Sequence, residues 1–224
     1  MATLATLRLW IDPVAREGPE AMAVDEWLLE TAEAPVLRVY RWLGNWGSVG
    51  YFGLLGEAMS AFPGVRWVRR WTGGGTVDHR ADWTYTVVVP AGEPLARLRG
   101  AESYRMMHMA LAAVLVAQGV ETRLSAGAEE TGGALCFENP VNHDLISPGG
   151  RKLAGAGQRR THRGLLHQGS VAGSVKTLDL PGRSELLAAA LAQEWTPMDF
   201  RPPPDVIARK IEERYGRKSW TERR

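Results

Sequence analysis

Three consecutive glycines, Gly73 to Gly75, sit inside the stretch RRWTGGGTVDHRAD, Arg69 to Asp82. Glycine loses more backbone freedom on folding than any other residue. A folded chain therefore keeps three in a row where it must bend tightly or let something approach closely. Backbone without side chains leaves N–H groups open to an anion or a carbonyl oxygen, and Arg69 and Arg70 place cationic forks just before them. A hairpin turn with exposed arginines accounts for the same residues, because the pattern matches neither a phosphate loop nor a dinucleotide fingerprint. Locally, turn and binding floor remain alternatives.

The surrounding periodicities read as mixed strands and helices. Strands are expected at LRLWID, PVLRVYRW, WGSVGYFG, VRWVRRW running into the glycines, DWTYTVVVP, VETRLS and GLLHQGSVAG. Helices are expected at GPEAMAVDEWLLETA, GAESYRMMHMALAAVLVAQG, SELLAAALAQEW and DVIARKIEERYG. HDLIS-PGG-RKLAGAGQRR reads as a hairpin with a tight Pro-Gly-Gly turn, and AGAEETGGA as a loop. Regular strand–helix alternation is missing, so the expected class is α+β, with a mixed, largely antiparallel central sheet flanked by helices. The RPPP stretch from Arg201 divides a main domain, 1–200, from a helical C-terminal extension, 201–224.

Bulk properties exclude several classes. The 224 residues carry 27 Lys+Arg against 25 Asp+Glu, which is too mild a bias for a dedicated nucleic-acid binder. The longest apolar run, Met106 to Val116, is too short to span a membrane. The start of the chain lacks the pattern of a secretion signal. A single cysteine, Cys136, makes no internal disulfide. A cytoplasmic chain is expected, without nucleic-acid or membrane partners.

Three further groups can carry chemistry. Lys152 follows the Pro-Gly-Gly turn and precedes small residues through Gly157; it reads either as a solvated hairpin lysine or as a cation aimed at a phosphate or carbonyl. Cys136, in ALCFENP, reads either as a small buried residue or as a nucleophile, the latter if a cation lies nearby. His143, His162 and His167 lie close in sequence, but no metal-site signature joins them, and no metal is expected. Arg159, Arg160, His162 and Arg163 form a short basic run, read as a solvated loop or as a docking patch for an acidic partner.

Taken together, RRWTGGGTVDH and GRKLAGAGQRR…GLLHQGSV resemble the two long motifs of the biotin/lipoate protein ligase superfamily, in the same order. RVYRW…SVGYF and AMAVDEWLL resemble the family's early strand pair and first helix. The likeness spans roughly residues 8 to 175. It implies a tunnel for an eight-carbon acyl chain, closed by the glycine loop. It assigns head-group and acyl contacts to Arg70, Thr72, Gly73, Gly74, Gly75 and His79, with Asp144, Gly155, Ala156 and His167 in the second motif. It places Lys152 at the acyl carbonyl or at the adenylate phosphate. Within the superfamily, CFENPVNHD resembles the CF-[DE]-x-P segment of cysteine-dependent octanoyltransferases, which implies Cys136 as the acyl-carrying thiol. That branch needs no cofactor and takes its acyl group from acyl carrier protein. The ligase branch uses ATP and Mg with lipoate; GGG followed by Thr76 is closer to its loop. Only about fifty residues follow HQGSV, too few for the usual ligase accessory domain, so that branch would need a separate accessory subunit. Both branches modify a lysine on lipoyl-domain proteins of the 2-oxoacid dehydrogenase E2 or glycine-cleavage H type. A non-catalytic lipoate-binding member of the fold is the third reading.

Overall fold

The computed structural model describes residues 3–127, 140–173 and 182–223. Its strands are β1 (Leu4–Ile11), β2 (Val36–Tyr40), β3 (Trp46–Val49), β4 (Arg66–Arg69), β5 (Val77–Asp78), β6 (Trp83–Pro90), β7 (Arg123–Leu124), β8 (Leu145–Ile146), β9 (Lys152–Thr161), β10 (Gly164–Val171) and β11 (Ala192–Pro197). Its helices are α1 (Gly18–Thr31), α2 (Leu55–Ala61), α3 (Pro94–Arg97), α4 (Gly100–Ala117), α5 (Arg183–Leu191), α6 (Pro204–Lys210) and α7 (Lys218–Thr221); α6 runs on into a π-helical turn, Ile211–Tyr215.

Eight strands form the main sheet in the order β11-β1-β2-β6-β10-β9-β8-β7. β1 is parallel to both its neighbours, and the pairs from β2 to β7 are antiparallel. The fold is thus α+β with a mixed, largely antiparallel sheet. β6 and β10 are central and wholly or nearly wholly buried, so their alternation sorts side chains between two cores. Val87, Val89 and Leu165 face the core with Leu111 and Leu115 of α4; Val88 and Leu166 face the core with Met22 and Leu28 of α1. A second sheet, β4-β3-β5, lies beside the main one. Among the described residues no helix is long and apolar enough to cross a membrane.

α1 starts with a proline in its first turn, where a missing N–H costs nothing. It buries acids as well as apolar residues. Asp25 accepts from Arg38 Nη1 at 2.6 Å and from Thr86 Oγ1 at 2.8 Å. Glu26 accepts from Tyr215 Oη at 2.5 Å and pairs with Lys210 and Arg214. These bonds seat the C-terminal helical segment on α1.

Two expectations are corrected. SELLAAALAQEW is not one helix: it leaves helix after Leu191, and Ala192–Pro197 is a strand parallel to β1, with Leu4 opposite Ala192 and Leu9 opposite Pro197. The unpaired edge of β1 outweighs the helix propensity of Ala, Gln and Glu. WGSVGYFG stops being strand at Val49, because buried Arg69 takes the carbonyls beyond it: Nη1 donates to Gly50 O and Gly53 O, both at 2.8 Å. The same guanidinium donates to Thr221 O at 2.9 Å and Arg223 O at 2.7 Å. Arg69→Met is expected to lower unfolding stability by about 3 kcal/mol or more, since it strands several carbonyls. A denaturant midpoint unchanged from wild type would contradict this.

Candidate active site

β4 lies parallel on one flank of β3, and β5 antiparallel on the other. The intervening chain with the three glycines therefore crosses the end of β3, and the hairpin-turn alternative is excluded. Arg70 is not an exposed fork. It is 5% exposed. Its Nη2 donates to Gly73 O at 3.1 Å and Gly75 O at 2.9 Å, and its Nη1 to Ser48 Oγ at 2.6 Å, so it staples the loop from within. Gly74 has a φ of 93°, which suits glycine. Thr72 Oγ1 donates to Gln168 Oε1 at 2.7 Å and ties the loop to β10; Gln168 in turn donates to Asp25 Oδ2 at 2.7 Å. A Cβ on Gly157 would stand 2.3 Å from Gly73 O. What the glycines admit is thus first the backbone of β9.

His79 closes a polar chain. Its Nδ1–H donates to Asp82 Oδ2 at 2.7 Å, which leaves Nε2 to accept from Ser48 Oγ at 2.6 Å. Its ring stacks on Trp42 at 4.1 Å. Beneath the loop lies a cavity of about 20 Å³ between α1 and the sheet, lined by Met22, Tyr40, Trp42, Arg70, Val77 and His79, with β9 at Gly155–Gly157 and β10 at Gln168–Ser170. It has room for about one water molecule, so an eight-carbon chain enters only when the loop lifts or the lining side chains turn.

At the β9 end of the cavity, Lys152 and Asp144 form a buried pair, Nζ to Oδ2 at 2.6 Å. Asp144 also accepts from Val141 N at 2.8 Å and from the Tyr104 hydroxyl. The reason is topological. β8 pairs β9 only as far as Ala154, so the next open backbone position, Ala156, donates its N–H to Tyr104 Oη at 2.9 Å instead. Tyr104 on α4 thereby finishes the strand edge and orients Asp144, which holds the lysine. Gly155 gives the lysine its place: a Cβ there would stand 2.5 Å from Lys152 Cε and 2.7 Å from Nζ. A burial this deep turns a flexible cation into a fixed one. It can stabilise a thiolate or a carbonyl oxygen that gains charge.

The histidines separate. His162 is exposed. His167 is buried on the opposite sheet face from the cavity, with Nε2 3.2 Å from Tyr85 Oη and Nδ1 3.1 Å from Gln158 Nε2. His108, which the sequence did not single out, lies beside it and donates from Nδ1 to His143 O at 2.6 Å, with Nε2 unpartnered among the described residues. Burial pushes His108 down to about 4, although Asp144 opposes that shift; burial also takes His167 well below the ordinary histidine value. Both unfolded imidazoles take up a proton near pH 6.5, and the folded ones resist it. Stability is therefore full above about 6.5 and is lost as pH falls toward 4, with His108 costing about 3 kcal/mol at the acid end. His108→Asn, which keeps an N–H for His143 O, is expected to flatten part of that loss in denaturant midpoints measured between pH 7.5 and 4.5.

Of the residues singled out by sequence, Arg70, His79, Gly155 and Ala156 line the cavity, while Thr72, Gly73, Gly75, Lys152 and Asp144 support its walls or its end. Cys136 lies outside the described residues. Among those described, no three His, Cys, Asp or Glu gather to hold a metal ion. The basic run is not a solvated loop throughout. Arg159 Cζ lies 4.4 Å from the Trp71 ring centroid, and Arg160 donates to Ser103 Oγ at 2.5 Å and Leu98 O at 3.2 Å.

A glycine loop over a small cavity, with a buried lysine packed beside Gly155 on its wall, fits an acyl-transferring or ligating catalytic domain. The chain is a member of the lipoyl protein ligase A/B catalytic domain family, whose model matches residues 17–195. It is 35% identical to octanoyltransferase LipM of Carboxydothermus hydrogenoformans over 72% of this chain and 63% of that protein. It is 33% identical to octanoyltransferase LipM of Symbiobacterium thermophilum over 94% of this chain and 76% of that one. The fold is shared with a bi-partite lipoate protein ligase from Thermoplasma acidophilum, solved with its E2 lipoyl domain, at 18% identity and a TM-score of 0.73 over 97% of this chain and 96% of that one. It is shared also with lipoate-protein ligase A bound with ATP, at 19% identity and a TM-score of 0.73 over 99% of each.

Proposed function

We propose that this enzyme moves an octanoyl group from acyl carrier protein to a lysine ε-amine of a lipoyl-domain protein through a thioester on Cys136. The observation that carries the reading is the fixed Lys152 at the end of the cavity. Val141, whose N–H bonds the same Asp144 oxygen as Lys152 Nζ, is joined through Pro140 to the segment that bears Cys136. A four-residue tether holds Cys136 within roughly 14 Å of Pro140. The curated relatives named octanoyltransferase support the same reaction.

The first step deprotonates the Cys136 thiol, and the thiolate attacks the octanoyl carbonyl. A bond forms between sulfur and acyl carbon, the bond to the carrier sulfur breaks, and the carrier thiol takes the proton. Lys152 lowers the thiol pKa and faces the oxyanion, with backbone N–H groups of the glycine loop or of Gly155–Gly157 as further donors. In the second step the neutral amine of the acceptor lysine attacks the thioester, gives up its proton and expels Cys136 as a thiol.

The test is intact mass before and after addition of octanoyl-acyl carrier protein. A gain of one octanoyl group without ATP supports the proposal. A second reading, ATP-dependent lipoate ligation with any accessory domain on a separate chain, is favoured by the GGG–Thr76 loop. It calls for pyrophosphate release on addition of lipoate, ATP and Mg, with Cys136 unmodified; that outcome would replace the first reading.

A further inference from the structure

The polar chain through His79 runs further in both directions. At one end stands Asp82, whose side chain is 2% exposed. Its Oδ2 accepts from Thr84 Oγ1 at 3.0 Å and from Ser170 Oγ, two residues that face each other across β6 and β10. Asp82 is therefore anchored on the centre of the main sheet. It holds His79 at Nδ1, and Trp42 holds the ring plane: the two rings stack at an interplanar angle of 13°, while Trp42 Nε1 donates to the same Thr84 Oγ1 at 2.9 Å. An imidazole fixed in this way presents Nε2 in one direction, toward Ser48 on β3.

Ser48 carries the chain onward. Its hydroxyl hydrogen goes to His79 Nε2, so its oxygen is left to accept. Arg70 Nη1 donates to that oxygen at 2.6 Å and to Ser48 O at 3.1 Å. The other terminal nitrogen of the same guanidinium holds Gly73 O and Gly75 O. A guanidinium is a rigid planar fork, so with Nη1 pinned on Ser48 the direction of Nη2 is set as well. The main sheet is thereby linked through β3 to the two carbonyls that flank Gly74.

Asp82, His79 and Ser48 stand in the order of a hydrolase triad, but the serine is not offered to a substrate. Ser48 is 0% exposed, Arg70 occupies its oxygen, and the cavity is lined by His79 and Arg70 without it. What the serine acts on is the loop.

We propose that Ser48 is a positioning residue for acyl binding: by joining His79 to Arg70 it holds the glycine loop closed over the cavity. Lifting the loop breaks the bonds from Arg70 to Gly73 O and Gly75 O. Ser48 keeps the arginine in place to remake them once the chain has entered. The identity of that chain as octanoyl rests on the octanoyl-transfer reading; the latch itself does not.

The test compares wild type with Ser48→Ala, Ser48→Thr, Arg70→Met and the Ser48→Ala/Arg70→Met double variant. Two quantities are read: amide hydrogen exchange, and the rate of acylation of Cys136 against the concentration of the octanoyl thioester of N-acetylcysteamine. Ser48→Ala is expected to speed exchange at residues 73–76 about tenfold, the order of one hydrogen bond to a charged group, with β6 and β10 unchanged. The half-saturating thioester concentration is expected to rise about tenfold, with the limiting rate within about twofold of wild type. Ser48→Thr keeps a hydroxyl and is expected to restore both. The double variant is expected to match Arg70→Met alone, because the serine acts through the arginine. Exchange and half-saturation both unchanged in Ser48→Ala overturn the proposal. So does faster exchange spread over the main sheet, which makes Ser48 a stability residue only, and so does a lower limiting rate at unchanged half-saturation, which assigns it to the chemistry. Additive effects in the double variant overturn it as well. Wild-type protein that never becomes acylated sinks the thioester route instead, and exchange at residues 73–76 still decides the latch.

Discussion

Cys136→Ala is expected to lose octanoyl transfer by about 10³-fold or more and to gain no octanoyl mass from octanoyl-acyl carrier protein. Cys136 is the only cysteine in the chain, so an acyl adduct on a thiol has one address, and its loss in the variant is unambiguous. The size of the effect follows from the chemistry. Without the thiol, the acceptor amine must attack the carrier thioester directly, with both proteins held over one small cavity at once. The thioester route divides that event into two exchanges, each with one partner present. Cys136→Ser refines the result. A hydroxyl keeps the shape but ionises far less readily than a thiol, so the serine protein is expected to stay close to the alanine one in rate. Normal turnover by either variant would return the site to the adenylate route.

How much of this was legible from residues alone differs from element to element. β6 and β10 could be read because DWTYTVVVP and GLLHQGSV carry a strand's composition between turn signals. α1 and α4 could be read because their apolar residues recur at helical spacing. Ala192–Pro197 could not, because its conformation is decided by an open edge of β1 nearly two hundred residues away in sequence. Arg70 was read as a donor to a ligand because arginines beside glycines suggest one; burial made it a donor to the loop itself. Tyr104 was hidden inside a good amphipathic helix. Its importance comes from β8 ending two residues before Ala156, and no local pattern reports where a neighbouring strand stops. Asp144 entered only through the family likeness, whereas the reason for it, three donors meeting one buried carboxylate, is visible only in three dimensions. His167 was grouped with the site by the HQGS motif. Strand alternation puts its neighbour Gln168 on the cavity wall and His167 on the opposite face.

The second large effect is expected at the lysine. Lys152→Met keeps the length and the apolar stem but removes the cation, and acylation of Cys136 is expected to slow by about 10²–10³-fold, the range seen when one oxyanion donor is lost. The pH profile separates a loss of charge from a loss of shape. On the thioester route the lysine is the cation that stabilises the thiolate, so alkylation of the thiol by a small reagent is expected to require higher pH in Lys152→Met than in wild type. Asp144 loses a buried partner in the same variant, which costs stability of order 3 kcal/mol, and the folded fraction must be checked by a denaturant midpoint. Gly155→Ala guards against misreading that cost. It leaves both charges in place, but its methyl would stand where Lys152 Nζ and Asp144 Oδ1 now lie, at 2.7 and 3.1 Å. The lysine must then turn away from the cavity floor. A slow Gly155→Ala protein with a wild-type midpoint would tie the rate to the position of the cation, and a fast one would show that Lys152 acts from somewhere other than its place beside Gly155.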